Sequence, residues 1–505
     1  MSSIVTTHQF LGQRYFHADS APQLLFTDNE TNDQKVFCLS NSFPFVKDGI
    51  NDYIVQGKHE AVNPQQTGTK AAAHYLLEIP AGQSREIRLR ISEKSAINRD
   101  QFGQAFNGTI EARKAKADEF YESITPANMS DEARGVMRQA LAGMLWSKQY
   151  YYFDLQSWVD EHELFEHHIT PIRNTDWMHM LNDDIISMPD KWEYPWYAAW
   201  DLAFHTRALS MIDPEFAKSQ LGLMLHEMYL HPNGQLPAYE WNFGDVNPPV
   251  HAWAAYALYE ASKAHDGSGD TTFLQLAFAK LLLNFTWWVN RKDFAGDNIF
   301  EGGFLGLDNI GVFDRSQPLP TGGFLEQADG TAWMAFFFLN MLMIALELEK
   351  CDLNYGEFVV RFSEHFFRIA GAMDRIGVAE DELWDEGDGF FYDLLRLPDG
   401  RSQRLKVRSI VGLLPLFATA VIEEEEINRI PEVVRRIARF ERRNPELLAN
   451  IADPNKPGQH GRRLLGVLNE QNYAGCWREC WVRMNSLATM ASGRSHVIIW
   501  LILSL

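Results

Sequence analysis

One carboxylate, Asp201, sits inside a run of aromatic rings in the segment Lys191-Trp-Glu-Tyr-Pro-Trp-Tyr-Ala-Ala-Trp-Asp-Leu-Ala-Phe-His205. Apolar surroundings disfavour the ionised carboxylate and raise its pKa, which is what a general acid near neutral pH needs. Indole faces such as those of Trp196 and Trp200 are surfaces on which pyranose rings stack, and Tyr194 and His205 add hydrogen-bonding groups to the same segment. The chemistry these residues suggest is cleavage of a sugar. The structural alternative is a core helix with a satisfied buried Asp.

Three further loops carry the same mixture of carboxylates, amides and rings. The segment His231 to His251 offers Gln235, Glu240, Trp241 and Asn247, which could bind hydroxyls and stack on a sugar, or could be a turn-rich connection with Trp241 plugging the core. Phe300 to Arg315 has glycines that let backbone approach a ligand beside Glu301, Asp308 and Asn309; without a Gly-Lys-Ser/Thr ending it is not a phosphate loop. Thr321 to Trp333 sets Glu326, Gln327 and Asp329 before an apolar helix, where Asp329 could instead be a helix cap. The acidic stretch Leu383 to Asp393 lacks the ligand spacing of a calcium loop. His162 and His167 are five apart and do not share a helix face, so no metal is expected, and no Gly-x-Ser-x-Gly elbow marks a serine hydrolase.

The elements that must hold these loops fall into two regimes. Up to about residue 100 short runs such as Tyr75 to Ile79 and Glu86 to Ile91 alternate with turns and read as the end of a β domain. Residues 101–130 read as a helical linker, and Ser130-Asp-Glu-Ala-Arg as a capped helix start. Apolar periodicity then predicts helices near 131–157, 196–211, 214–230, 249–265, 271–291, 330–350, 355–376, 405–421 and 428–441. Helical hairpins with functional loops gathered at one end suggest a mainly α chain folded as an (α/α)6 toroid, preceded by the remnant of a β-sandwich-like domain. No fixed-period repeat supports a solenoid.

Bulk properties narrow the function class. The chain has 505 residues, 46% of them hydrophobic and 22% charged, which allows a large core. A net charge of -21, with no basic run to offset it, disfavours nucleic acid and anionic membrane surfaces as partners. Cys38, Cys351, Cys476 and Cys480 are too few and scattered for a disulfide framework, no secretory signal opens the chain, and no uninterrupted apolar run approaches a membrane span. A cytoplasmic protein with reduced thiols, a carbohydrate substrate and no cofactor is the expectation.

The segments Asn29 to Asn32, Val46 to Tyr53, Arg173 to Asp184, Tyr194 to His205, Leu283 to Asn290 and Asp329 to Trp333 together resemble glycoside hydrolase family 63. The likeness runs over about residues 25–471 and is greatest to bacterial glucosidase-like members, with relatives acting on mannosylglycerate or glucosylglycerate. It implies an inverting α-glycosidase on an (α/α)6 barrel occupying 131–471, with Asp201 as general acid. Inversion also requires a general base, which the family supplies near the end of the barrel, beyond the stretch this chain shares. After Gln471 the text changes character. Read one frame over, the stretch from Asn472 can decode as Leu-Arg-Arg-Val-Leu-Ala-Arg-Met-Leu-Gly and then as family-like sequence, so 472–505 is expected to be an out-of-frame tail and the chain to turn over sugar poorly. The rival readings are a non-catalytic carbohydrate-binding scaffold and a toroid lyase or epimerase.

Overall fold

The computed structural model describes residues 1–93, 101–162, 174, 177–188, 196–244, 246–291, 299–300, 312–313, 315, 318–374, 383–449 and 451–476. The chain divides into two compact units, Met1–Ala127 and Asn128–Leu505.

In the first unit β1 (Ser2–His8) and β2 (Gly12–Ala18) form an antiparallel hairpin, and β3 (Gln23–Thr27) pairs with β4 (Lys70–His74). A third strand, β5 (Leu89–Ser92), lies on the other edge of β2. Two short helices, α1 (Asp33–Phe37) and α2 (Gly49–Gln56), intervene, and Leu25, Ile50 and Val62 make a small core with Tyr53 and Ala72. The run expected as a strand at Tyr75 to Ile79 is not one. The ladder ends at Gln23 opposite His74, and Pro22, which precedes Gln23, has no N–H with which to extend it. Helix α3 (Gln104–Ile124) fills the expected linker and buries none of its residues.

The second unit is helix-dominated. Helix α4 (Asp131–Trp146) starts at Ser130, whose hydroxyl accepts from the Ala133 N–H. It stops eleven residues short of the expected end because Lys148-Gln-Tyr-Tyr-Tyr-Phe-Asp154, rich in strand-favouring aromatics, forms β6 (Lys148–Asp154). After α5 (Leu155–Glu161), β7 (Leu181–Ser187) pairs with β6 in seven-residue register, Lys148 opposite Ser187. Then come α6 (Ala199–Leu209), α7 (Pro214–Met224), α8 (His251–Asp266) and α9 (Thr271–Asn290), followed by β8 (Phe324–Glu326), α10 (Ala328–Glu349) and α11 (Gly356–Asp374). Short strands β9 (Trp384–Asp385) and β10 (Phe390–Phe391) form a hairpin, and β11 (Asp393–Arg396) lies between β8 and β12 (Ser402–Leu405). The helix expected over 405–421 is replaced by a 3-10 turn, Ile410–Phe417, and β13 (Thr419–Ile422); Pro415 removes a backbone donor and blocks a continuous α-helix. Helices α12 (Glu424–Arg429) and α13 (Pro431–Arg443) precede β14 (Arg463–Gly466), which pairs with β13.

Helix α6 packs on α4, α7 and α8, while α10 packs on α8, α9 and α11. By length and composition α10 could cross a membrane, yet 83% of its most apolar window is buried inside the protein. Around it Phe285 meets Phe338 and Phe362 edge to face, at 5.1 and 5.0 Å between ring centroids. Residues 470–476 are helical, and Cys476, fully buried, places Sγ 3.8 Å from the Gly389 carbonyl. The rest of the expected out-of-frame tail, 477–505, lies outside the described residues. Cys38, Cys351 and Cys476 are free thiols.

Candidate active site

Helix α6 presents Asp201 in its first turn and His205 one turn later on the same face. Burial pushes the Asp201 carboxyl above the usual carboxylate range, against a backbone hydrogen bond that pulls the other way. Burial lowers His205, so its ring is neutral at pH 7 and puts no cation one turn from Asp201 to hold it ionised. The ring's Nδ1 lies 2.8 Å from Ser187 Oγ, which is itself 2.6 Å from Ser147 Oγ. Around the helix Trp200 and Phe204 meet edge to face at 5.7 Å, Phe204 reaches Trp253 at 5.4 Å, and Trp196 meets Tyr239 at 6.1 Å.

The 231–250 loop is built against the start of this helix. Its tight turn at His231 to Gln235 places Gly234 at φ +94°, and the Asn284 side-chain amide donates to the Gly234 carbonyl at 2.8 Å. A Cβ at Gly234 would stand 2.1 Å from the Leu283 carbonyl oxygen. Gly234→Ala therefore combines a disfavoured backbone with a backbone clash and should lower stability by at least about 2 kcal/mol in denaturant unfolding.

Further along, Gln235 Nε2 donates to the Phe243 carbonyl at 3.0 Å, and Asn247 Nδ2 to that of Ala238 at 3.3 Å. Trp241 is 3% exposed and its indole N–H donates to the Trp177 carbonyl at 3.1 Å. Gln235 and Trp241 are buried and hold the loop in place, whereas Asn247, half-buried, also lines a small cavity with Ala199, Trp287 and Trp288. Glu240 differs. Its Oε1 accepts from the Tyr197 backbone N–H at 3.0 Å and from the Tyr151 hydroxyl, and burial raises its carboxyl. Two carboxyls with raised pKa, Asp201 and Glu240, are thus gathered at the N-terminal end of α6.

Gln327 and Asp329 belong to a second, buried cluster. Asp329 does not cap α10, since Gln327 holds the N-cap position. Instead the fully buried Asp329 takes a two-pronged ion pair from Arg315, one arm at 2.7 Å, and Arg315 also reaches Asp393 at 3.5 Å. Burial raises the Asp393 carboxyl to about 6; Arg315 opposes the rise and the Asp329 charge adds to it. A carboxyl whose pKa rises on folding destabilises the native state once the unfolded chain ionises. The stability that Asp393 contributes is therefore greatest below the ordinary value of 3.8, falls as pH rises towards about 6, and is level above that. The full loss is on the order of 3 kcal/mol. Asp393→Asn keeps an oxygen for the Ala328 N–H, 2.9 Å away, so at pH 7 it should stabilise the protein. Paired unfolding curves at pH 4 and pH 7 should show that advantage shrinking at the lower pH.

Tyr194, Glu301, Asp308, Asn309 and His167 lie outside the described residues. A cavity of about 650 Å³ opens beside β13 and β14, lined by Val421, Ile451, Leu464 and Leu468, and shares no residue with the Asp201 neighbourhood. Tyr151, Tyr197, Ser187, Arg315 and Asp393 also belong to these two clusters, although no motif in the sequence singles them out. The three consecutive tyrosines at 150–152 were the available signal, because a strand there turns the middle ring away from its neighbours.

Residues 194–303 match the model of the Mannosylglycerate hydrolase MGH1-like glycoside hydrolase domain. An uncharacterized protein of Saccharomyces cerevisiae is 46% identical over 482 residues, covering 90% of this chain and 44% of its own. An uncharacterized protein of Borreliella burgdorferi is 21% identical over 213 residues, covering 42% of this chain and 39% of its own. The chain thus spans less than half the length of these curated relatives. The GH63 mannosylglycerate hydrolase from Thermus thermophilus, solved in complex with Tris and D-glycerate, is 17% identical with a TM-score of 0.34 over 46% of this chain and 69% of that one. Its glucose complex gives the same identity and TM-score over 55% and 78%.

Proposed function

We propose, from the premise that this chain carries a glycoside hydrolase domain of the family 63 type, that it hydrolyses an α-glucoside, glucosylglycerate or mannosylglycerate with inversion on an (α/α)6 barrel. The observation that carries the reading is Asp201, a desolvated carboxyl in the first turn of a helix walled by Trp196, Trp200, Phe204 and Trp253. Its protonated form gives a proton to the glycosidic oxygen as the bond from that oxygen to the anomeric carbon breaks. Water attacks the opposite face and surrenders its proton to a second carboxylate about 6.5–9.5 Å from the acid, a role given to none of the side chains described above. The rings of the α6 wall suit the apolar face of the sugar.

The test is to incubate the protein with glucosylglycerate, mannosylglycerate and maltose and to follow the anomeric protons by NMR. The β-anomer should appear first and then mutarotate. The α-anomer first would refute inversion. Binding without product would favour a carbohydrate-binding scaffold, and an unsaturated product would favour a lyase.

A further inference from the structure

The start of α6 is held from outside. Ala198, at the N-cap, offers no side-chain acceptor, and Ala is among the poorest residues there. What replaces the cap comes from the 231–250 loop: the Ala238 carbonyl accepts from the Ala199 N–H at 3.3 Å, and Glu240 Oε1 accepts from the Tyr197 N–H at 3.0 Å. Tyr197 lies four residues before Asp201. The Glu240 side chain therefore fixes the backbone from which the first turn is launched.

Glu240 is in turn fixed by its neighbour. Trp241 is held at φ +50°, a left-handed conformation that a bulky side chain adopts only where its surroundings over-determine it. Its N–H points at Met180 Sδ at 2.9 Å, its indole N–H donates to the Trp177 carbonyl, and its own carbonyl accepts from Asn174 Nδ2 at 2.7 Å. The remaining support is the β6–β7 hairpin. Tyr150 and Tyr152 are exposed on one face of β6, and Tyr151 on the other donates its hydroxyl to Glu240. The same hairpin supplies Ser187, which holds His205. One hairpin thus ties α6 at both ends of the turn that bears Asp201.

We infer that Glu240 is the positioning residue of Asp201, acting through a Tyr151–Glu240–Tyr197 strut as a hydrogen-bond acceptor and not as the base that activates water. The inference rests on the assignment of Asp201 as general acid. Both contacts of the strut use the single oxygen Oε1, and an amide carbonyl at position 240 can accept the same two bonds. Charge at this position is dispensable, whereas the oxygen is not.

The test compares Glu240→Gln, Glu240→Ala and Tyr151→Phe with the wild-type chain by hydrogen exchange at the Tyr197 amide and by sugar release across pH. Glu240→Gln should keep Tyr197 protection and kcat within about threefold, with an unchanged pH profile. Glu240→Ala should expose the Tyr197 amide by tenfold or more and lower kcat by about 10–100-fold with a smaller change in KM, as expected of a misplaced acid. Should Glu240→Ala not fold, Tyr151→Phe carries the comparison, with intermediate losses in both readouts. Glu240→Gln as inactive as Asp201→Asn would overturn the inference, and so would an unaltered Tyr197 exchange rate in Glu240→Ala. Exchange is read without substrate, so a chain that released no sugar would sink the glycosidase reading and leave the amide to decide this one.

Discussion

Asp201→Asn should cut sugar release by about 10²–10⁴-fold while sugar binding persists, the loss expected when a general acid is removed and the site is otherwise intact. An acid must carry its proton when the glycosidic bond breaks, and the burial that raises Asp201 keeps it protonated to a higher pH than an exposed carboxyl. Activity should therefore fall as pH rises through that elevated pKa, and the residual activity of Asp201→Asn should lack this limb. The same burial gives an independent check. A carboxyl raised on folding weakens the native state at neutral pH, so the amide should leave stability unchanged or improve it. A structural Asp in a satisfied core would give the reverse pattern, with lost stability and no specific loss of turnover. Binding by titration calorimetry, initial rates and denaturant unfolding on one variant separate the two.

The largest effect on stability is expected at Arg315. Its side chain is 1% exposed and that of Asp329 0%, so neither charge has water to fall back on. Arg315→Met should strand Asp329 and destabilise the unit by about 3–5 kcal/mol, read as a lower midpoint in denaturant unfolding. Asp393, raised already, would lose its opposing cation and become harder still to ionise. Adding Asp329→Asn should recover more than half of the loss, because the amide keeps an oxygen for the Gly330 N–H, 2.8 Å away, without the buried charge. Equal losses in the single and double variants would mean that the ion pair is not what holds this region.

The two regimes of the chain were legible because hydrophobic period is a local property. The Leu-rich helical period of 271–291 and the apolar run from Ala332 to Leu348 could hardly be anything other than helices, and α9 and α10 stand there. The boundary after Trp146 was not legible. Tyr150 to Phe153 fits a helical period as well as a strand, and what decides is pairing with Leu181–Ser187, distant in sequence. Residues 405–421 failed for the opposite reason, since Gly412 and Pro415 were local warnings that composition outweighed. At the site, the environment of Asp201 could be read because its aromatic neighbours are adjacent in sequence. The roles of Gln327 and Asp329 could not, because Arg315, which pairs with Asp329, and Asp393, which shares that cation, lie 14 and 64 residues from it. Glu240 was visible as a polar group in a loop, but its tie to Tyr151 crosses 89 residues.

Helix α10 also constrains how the polypeptide can come into being. Almost every side chain from Ala328 to Leu348 is buried, against α8 and α9 on the upstream side and against α11, the 3-10 turn Ile410–Phe417 and β13 on the downstream side. During synthesis α8 and α9 emerge first and can cover only part of its surface; the remainder stays naked until α11 and then the 410–422 segment have been translated. In that interval the nascent chain displays a segment as greasy as a bilayer span, in reach of chaperones, membranes and other ribosome-bound copies. Assembly of this unit is thus a wait for residue 422, and the order in which the elements are made sets when its interior can close.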